Sequence, residues 1–220
     1  MVEQLREVNI ENVRRNLDEI SENVSAAAAR AGRSPGDVRI LAATKYIAAE
    51  ALGQLAEAGV KLVGENRQQD LVAKQEMWGD LFEWHFIGDL QSRKVPQLLG
   101  KVGLIHSVGT DSALAKFERP EGAEQEILVQ VNVSGEEGKG GIEPAALPRF
   151  IERATCRVAG LMTMPPLVTK AEENRRYFAS LRELADQNGL KELSMGTSQD
   201  YATAVEEGAT IVRIGAVLCR

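Results

Sequence analysis

The chain has 220 residues, 44% of them hydrophobic, and a formal charge of −6. That supplies a substantial core, and the acidic balance argues against nucleic acid or an anionic membrane as partner. The two cysteines, Cys156 and Cys219, and the two isolated histidines, His85 and His106, stand in no metal-ligand spacing. With no secretory segment and no bilayer-length apolar stretch, the expected setting is the reducing cytoplasm.

The first 31 residues read as one helix, because Val13, Leu17, Ile20, Val24 and Ala28 recur at spacings of three and four. Gly32 and Pro35 stop it. A repeating pattern follows. Arg39 to Thr44 reads as a strand, then an Ala-rich helix runs through Leu55. Lys61 to Val63 is a second strand, and Gly64-Glu65-Asn66 leads into a helix ending near Trp78. Trp84 to Ile87 is a third, with a helix around Val95 to Leu99. Leu104 to Val108 is a fourth, with a short helix from Asp111 to Phe117. Ile127 to Val133 is a fifth, followed by the loop Gly135 to Gly141 and a helix near Pro144 to Arg153. Arg157 to Leu161 is a sixth, with a helix from Lys170 to Asn188. Glu192 to Ser194 is a seventh, with Asp200 to Glu207 helical, and Ile211 to Ile214 is the eighth.

Eight alternating units without a long unassigned stretch predict a single (β/α)₈ TIM barrel. The alternative is an open doubly wound sheet. The leading helix is extra and is expected to close the bottom or side of the barrel. No linker or composition break divides the chain, so residues 1–220 are expected to form one domain.

In a parallel barrel the chemistry lies at the C-terminal strand ends. Lys45 follows the first strand there, where an amine in apolar surroundings can attack a carbonyl. Gly196-Thr197-Ser198 follows the seventh strand and Gly215-Ala216 the eighth, the usual phosphate position in this architecture. Glycine lets backbone N–H groups approach an anion, Thr197 and Ser198 add hydroxyls, and the next helix offers its positive end. A phosphate site opposite such a lysine points to a phosphorylated aldehyde or sugar held as a Schiff base. Arg213 lies in an apolar strand and faces either the lumen or the helices. In the lumen it could donate to a ring nitrogen, keeping that nitrogen unprotonated and the ring a poorer electron sink.

Six segments carry a family resemblance. They are Val63-Gly64-Glu65-Asn66-Arg67, Trp84 to Gly88 with Leu90-Gln91-Ser92, Val131 to Gly135, Gly160 to Met164, Leu193 to Gly196, and Val212 to Gly215. In this order, over nearly the whole chain, they resemble the pyridoxal phosphate homeostasis protein family, whose fold is similar to the N-terminal barrel domain of alanine racemase. The resemblance implies pyridoxal 5'-phosphate (PLP) bound as a Schiff base on Lys45. It implies Arg213 facing the pyridine nitrogen, and Thr197, Ser198, Gly215 and Ala216 around the phosphate, next to Gly196. Asn66, Met162 and Met195 would line the ring. It implies cofactor buffering and delivery and amino-acid and keto-acid balance, without robust turnover, with PLP-dependent apoenzymes as recipients.

Three departures stand out. Ala216 replaces a common threonine, which would remove one phosphate contact. The segment Gly88 to Lys94, with Asp89 and Arg93, reads slightly differently. The chain given ends at Arg220, directly after the eighth strand, which leaves little for a closing helix and would loosen that side.

Each residue also has a plainer reading. Lys45 could be a solvated loop lysine. Gly-Thr-Ser could be a helix cap through Ser198 or Asp200, and Asn66 another. His85 reads as a hydrogen-bonded core residue, Cys156 as inert packing, and Arg93-Lys94 as a solvated pair. The loop Gly135 to Gly141 lacks phosphate-loop spacing and reads as a lid or plain connection. A racemase of this fold would need a tyrosine from a further domain. Tyr46 is a poor substitute if neighbouring residues point to opposite faces. A Schiff-base aldolase would need an acid or base, for which Glu65 is the best candidate. No heptad pattern or apolar stripe predicts a dimer, so the expected state is a monomer.

Overall fold

The computed structural model describes residues 4–118 and 120–220. Helix α1 (Ile10–Arg30) starts later than expected, because Asn9 caps it by accepting the Asn12 N–H through its side chain. Residues 4–8 do not continue the helix. The Leu5 N–H donates to the Tyr46 carbonyl and the Ala48 N–H to the Leu5 carbonyl, strapping this segment to the turn that carries Lys45. Expected helical residues 1–3 lie outside the described ones.

Eight parallel strands close into a barrel in chain order. They are β1 (Arg39–Ala43), β2 (Leu62–Glu65), β3 (Glu83–Phe86), β4 (Leu104–Val108), β5 (Glu126–Gln130), β6 (Arg157–Met162), β7 (Glu192–Thr197) and β8 (Ile211–Ile214). The expected barrel is therefore the one formed, and β8 pairs with β1 where an open sheet would leave two edges.

The outer layer holds α2 (Leu52–Glu57), α3 (Gln68–Trp78), α4 (Asp111–Leu114), α5 (Pro120–Ala123), α6 (Leu147–Glu152), α7 (Arg175–Gln187) and α8 (Tyr201–Glu206). Two units depart from the expected alternation. After β3 the chain forms a 3₁₀ stretch, Ser92–Gln97, because Pro96 lacks an N–H and disfavours helical geometry at Val95. After β8 there is a 3₁₀ turn, Ala216–Cys219.

The helix that would follow β8 belongs between α8 and α2, and α1 packs against both. Asn16 Nδ2 also donates to the carbonyls of Val217, Leu218 and Arg220, closing α1 over the terminal turn. That side is thus covered, which corrects the expectation of a loosened barrel. Arg175 pairs with Glu206 and Glu207, and Arg30 with Glu206, so ion pairs join α7, α8 and α1.

Period-two alternation sorts the strand residues into two cores. Leu41, Leu62, Leu104, Leu128, Met162 and Ile211 meet inside the barrel. Their neighbours Ala42, Val63, Ile105, Ile127, Leu161 and Val212 face the helices. Polar groups share the lumen with the first set, and they lead upward to the site.

Candidate functional site at the C-terminal mouth

A cleft of about 540 Å³ opens at the C-terminal strand ends, lined by Lys45, Asn66, Thr197, Ser198, Arg213, Gly215 and Ala216 among others. Seven of the ten expected site residues thus meet across strands β1, β2, β7 and β8. Gly196 lies just behind Thr197. At φ +87°, and with Ala204 and Tyr201 close to where a Cβ would stand, it turns the chain into the cleft rim.

Met162 and Met195 do not reach the cleft wall. Met162 is buried in the lumen among Leu41 and Leu128, while Met195 faces the helices among the outer core. The methionine on the wall is Met164, two residues beyond the strand end, joined by Leu167, and both are exposed. Strand alternation sends Met195 outward between the inward Ser194 and the rim, a sidedness that sequence alone left open.

Lys45 sits in a 3₁₀ turn, Thr44–Tyr46, at the end of β1. It is half-buried, less enclosed than a lysine at a buried strand end would be. Its Nζ lies 4.7 Å from the centre of the Tyr46 ring. Tyr46 therefore shares the cleft with Lys45, against the expectation of opposite faces, because a 3₁₀ turn does not keep strand alternation. Ile87, the end of the third expected strand, also lines the cleft, as do Gln199, Val217 and Arg220, which no sequence pattern marked.

Beneath the Lys45 turn lies a buried ionic network. Lys74 Nζ donates to Glu65 Oε2 at 2.5 Å and to the Thr44 carbonyl at 2.8 Å. Thr44 Oγ1 donates to Glu65 Oε2 at 2.8 Å, and the Asn66 N–H donates to Glu65 Oε1 at 2.7 Å. Glu65 is fully buried and committed on both oxygens, so it is not the cleft acid that an aldolase would need. Asn66 is not a helix cap either, since Arg67 takes the cap position of α3.

Arg213 faces the lumen, the first of its two alternatives. Nη1 donates to the Ser194 carbonyl at 2.7 Å and to Ser194 Oγ at 2.6 Å, and Nη2 to the Thr163 carbonyl at 2.9 Å. Burial lowers its pKa to about 10, opposed by Asp200, so it carries its charge at neutral pH.

At the opposite rim, Asp200 accepts from Thr197 N–H at 2.7 Å and Thr197 Oγ1 at 3.1 Å, and from Asn174 Nδ2 at 2.8 Å. Asp200 thereby fixes the Thr197-Ser198 turn, not the first turn of α8. Ser198 Oγ accepts the Gly215 N–H at 3.1 Å, tying the two strand ends together.

The donor set fits a PLP-sized ligand. Lys45 offers an amine, Arg213 a fixed cation, and the Thr197-Ser198 and Gly215-Ala216 segments small residues for a phosphate. Asn66 Oδ1 is buried and has no partner among the described residues, which leaves a polar group at the wall for a ligand to satisfy. Among the described residues no cluster of potential metal ligands occurs.

No protein-family model matches the chain. It is 41% identical over 221 residues to the pyridoxal phosphate homeostasis protein of Aquifex aeolicus (strain VF5), covering 94% of this chain and 97% of that one. Among solved structures, PipY of Synechococcus elongatus PCC7942 with PLP bound is 32% identical, with a TM-score of 0.73, covering 91% of this chain and 100% of that one. An alanine racemase of Clostridium difficile 630 is 14% identical, with a TM-score of 0.69 over 96% of this chain and 57% of that one, a likeness of fold alone.

Proposed function

The chain belongs to the pyridoxal phosphate homeostasis protein family, and from that premise we propose that it holds one PLP on Lys45 and acts as an intracellular reservoir of the cofactor. The observation that carries this is one cleft joining Lys45, Arg213, Asn66 and the Thr197-Ser198 and Gly215-Ala216 segments. PLP, when bound, supplies an aldehyde and an electron-accepting ring.

Lys45 would close a Schiff base with that aldehyde, releasing one water. Arg213, charged and held by two carbonyls, would donate to the pyridine nitrogen with the Nη2 hydrogen that Met164 Sδ otherwise accepts, and leave it unprotonated. Asn66 would meet a polar substituent of the ring. Ser198 would donate its hydroxyl to the phosphate, while Thr197, whose N–H and hydroxyl both go to Asp200, would shape the rim beside it, with backbone approach at Gly215 and Ala216. Ala216 carries no hydroxyl, so Ser198 is the nearer side-chain donor on that side.

A holding role fits what surrounds Lys45. Among the described residues its amine forms no ion pair with a carboxylate, and Glu65 is spent on Lys74. Tyr46 lies on the same turn as Lys45, against Gly215, and forms a wall of the cleft. The proposal keeps the single domain, the monomeric state and the cytoplasmic setting expected from the sequence, with PLP-dependent apoenzymes as recipients. Among the described residues no helix is long and apolar enough to cross a membrane.

The test is direct. Purified protein incubated with PLP should show a visible absorption band that borohydride bleaches, and mass spectrometry should find the reduced adduct on Lys45. Lys45→Ala should show neither. A wild-type protein that gains no band overturns the proposal, and racemisation of alanine at an ordinary enzymatic rate would replace it with an enzyme.

A further inference from the structure

A hydrogen-bonded chain runs through the barrel from the cleft to the opposite end. Arg213 Nη1 donates to Ser194 Oγ at 2.6 Å. Ser194 Oγ lies 2.8 Å from His106 Nδ1, and His106 Nε2 lies 2.9 Å from His85 Nδ1. His85 Nε2 lies 2.9 Å from Glu83 Oε1, which also pairs with Arg39 at 2.7 Å. Ser194, His85 and His106 are buried, whereas the Glu83 side chain is half exposed. Glu83 and Arg39 begin β3 and β1, so they stand at the N-terminal end and border a pocket of about 350 Å³ there.

Donor counting assigns the chain a direction. A neutral imidazole has one donor and one acceptor nitrogen. If His85 Nε2–H donates to the Glu83 carboxylate, His85 Nδ1 must accept from His106 Nε2–H. His106 Nδ1 must then accept the Ser194 hydroxyl, whose oxygen accepts from Arg213. Every link is satisfied. In the reverse setting the His85 Nε2 lone pair could take an Arg39 Nη2 hydrogen at 3.2 Å but would also face the nearer Glu83 carboxylate at 2.9 Å. Ser194 Oγ would also take hydrogens from both His106 and Arg213, with its own hydrogen left over. Buried networks tolerate such loose ends poorly.

We propose that Ser194, His106 and His85 are positioning residues for Arg213, and that Glu83, at the far end of the barrel, sets the direction of their hydrogen bonds. Arg213 would thus be held at its carbonyl contacts from the cleft side and at Ser194 Oγ by a chain anchored on the opposite surface. The last link, from Arg213 to a ring nitrogen, rests on the proposed PLP site, whereas the chain itself does not.

His85 and His106 are the only two histidines in the chain, so nitrogen NMR of histidine-labelled full-length protein reports on this chain alone. In the wild type both rings should carry their proton on Nε2. Glu83→Ala leaves Arg39 to donate to His85 Nε2, so both rings should move the proton to Nδ1, His106 included although it does not touch Glu83. Glu126→Ala, a carboxylate on the same rim outside the chain, should leave both rings unchanged. His106 on the Nδ1 tautomer in the wild type, or unmoved in Glu83→Ala, overturns the chain. After loading with PLP, the visible band should shift in Glu83→Ala and stay in place in Glu126→Ala. An unshifted band with switched tautomers overturns the positioning role. A wild type without a band overturns the PLP reading alone, and the tautomers then decide the chain.

Discussion

Lys74 Nζ lies 2.5 Å from Glu65 Oε2, and both side chains are almost fully shut off from solvent. The pair joins α3 to the end of β2, and through Thr44 it holds the turn that presents Lys45. Removing one partner of a buried pair leaves the other charge unpaired and usually costs about 3–5 kcal/mol. Lys74→Met should therefore lower unfolding stability by about that amount in urea titrations. Lys74→Met with Glu65→Gln should recover part of it, because the amide oxygen can still accept from the Asn66 N–H and its NH₂ can donate to Thr44 Oγ1, whose hydroxyl turns to the Gly64 carbonyl, without a buried charge. Equal instability of the single and double variants would argue against the pair as the cause.

Gly88 has no room for a side chain. A Cβ there would stand 1.9 Å from the Asn66 carbonyl oxygen. Gly88→Ala must push the Asn66 backbone aside, and Asn66 is on the cleft wall. Weaker PLP uptake in an absorbance titration is expected, together with a loss of roughly 1–3 kcal/mol of stability. Gly79→Ala, where nothing lies within 4 Å of the added carbon, is the matched control and should take up PLP as the wild type does.

Arg213→Lys keeps a charge but loses the planar fork. One ammonium cannot reproduce the separate bonds to the Ser194 and Thr163 carbonyls. An unpaired buried carbonyl costs about 1–3 kcal/mol. Urea unfolding should register that loss, and the bound-PLP band should move relative to wild type. A variant with unchanged stability and spectrum would place the guanidinium contacts outside both roles.

Acid should destabilise the barrel through its histidines. Burial lowers the His85 pKa from 6.5 to about 4, against the opposing pull of Glu83, and holds His106 well below its ordinary value. The unfolded chain therefore binds protons that the folded chain refuses. The stability is fully present above pH 6.5 and is lost as pH falls toward about 4. At about 1.4 kcal/mol per pH unit between those values, His85 alone contributes about 3 kcal/mol. Unfolding midpoints at pH 7 and pH 5 should differ accordingly, and His85→Gln should flatten the dependence.

The residues that could be read from the chain itself were those whose meaning is local. Apolar runs separated by helical spacing marked the β/α units. Lys45, Thr197 and Gly215 stood at strand ends, where barrel geometry requires the site whatever the side chains do. Local rules also explain the misses within reach of the backbone: Asn9 caps α1, Pro96 denies the third unit its helix, and the 3₁₀ turn at Thr44 brings Tyr46 beside Lys45.

Alternation determined by itself that Arg213 and Val212 face opposite ways, but not which of them faces the lumen. Only closure of β8 onto β1 decided that, and with it the outward course of Met195. The same holds for Glu65 with Lys74 and for His106 with Ser194, 88 residues apart in the chain. A buried polar group must find a partner, yet the sequence does not say which. The barrel decides, because it brings distant strands within hydrogen-bonding reach and excludes the water that would otherwise satisfy them.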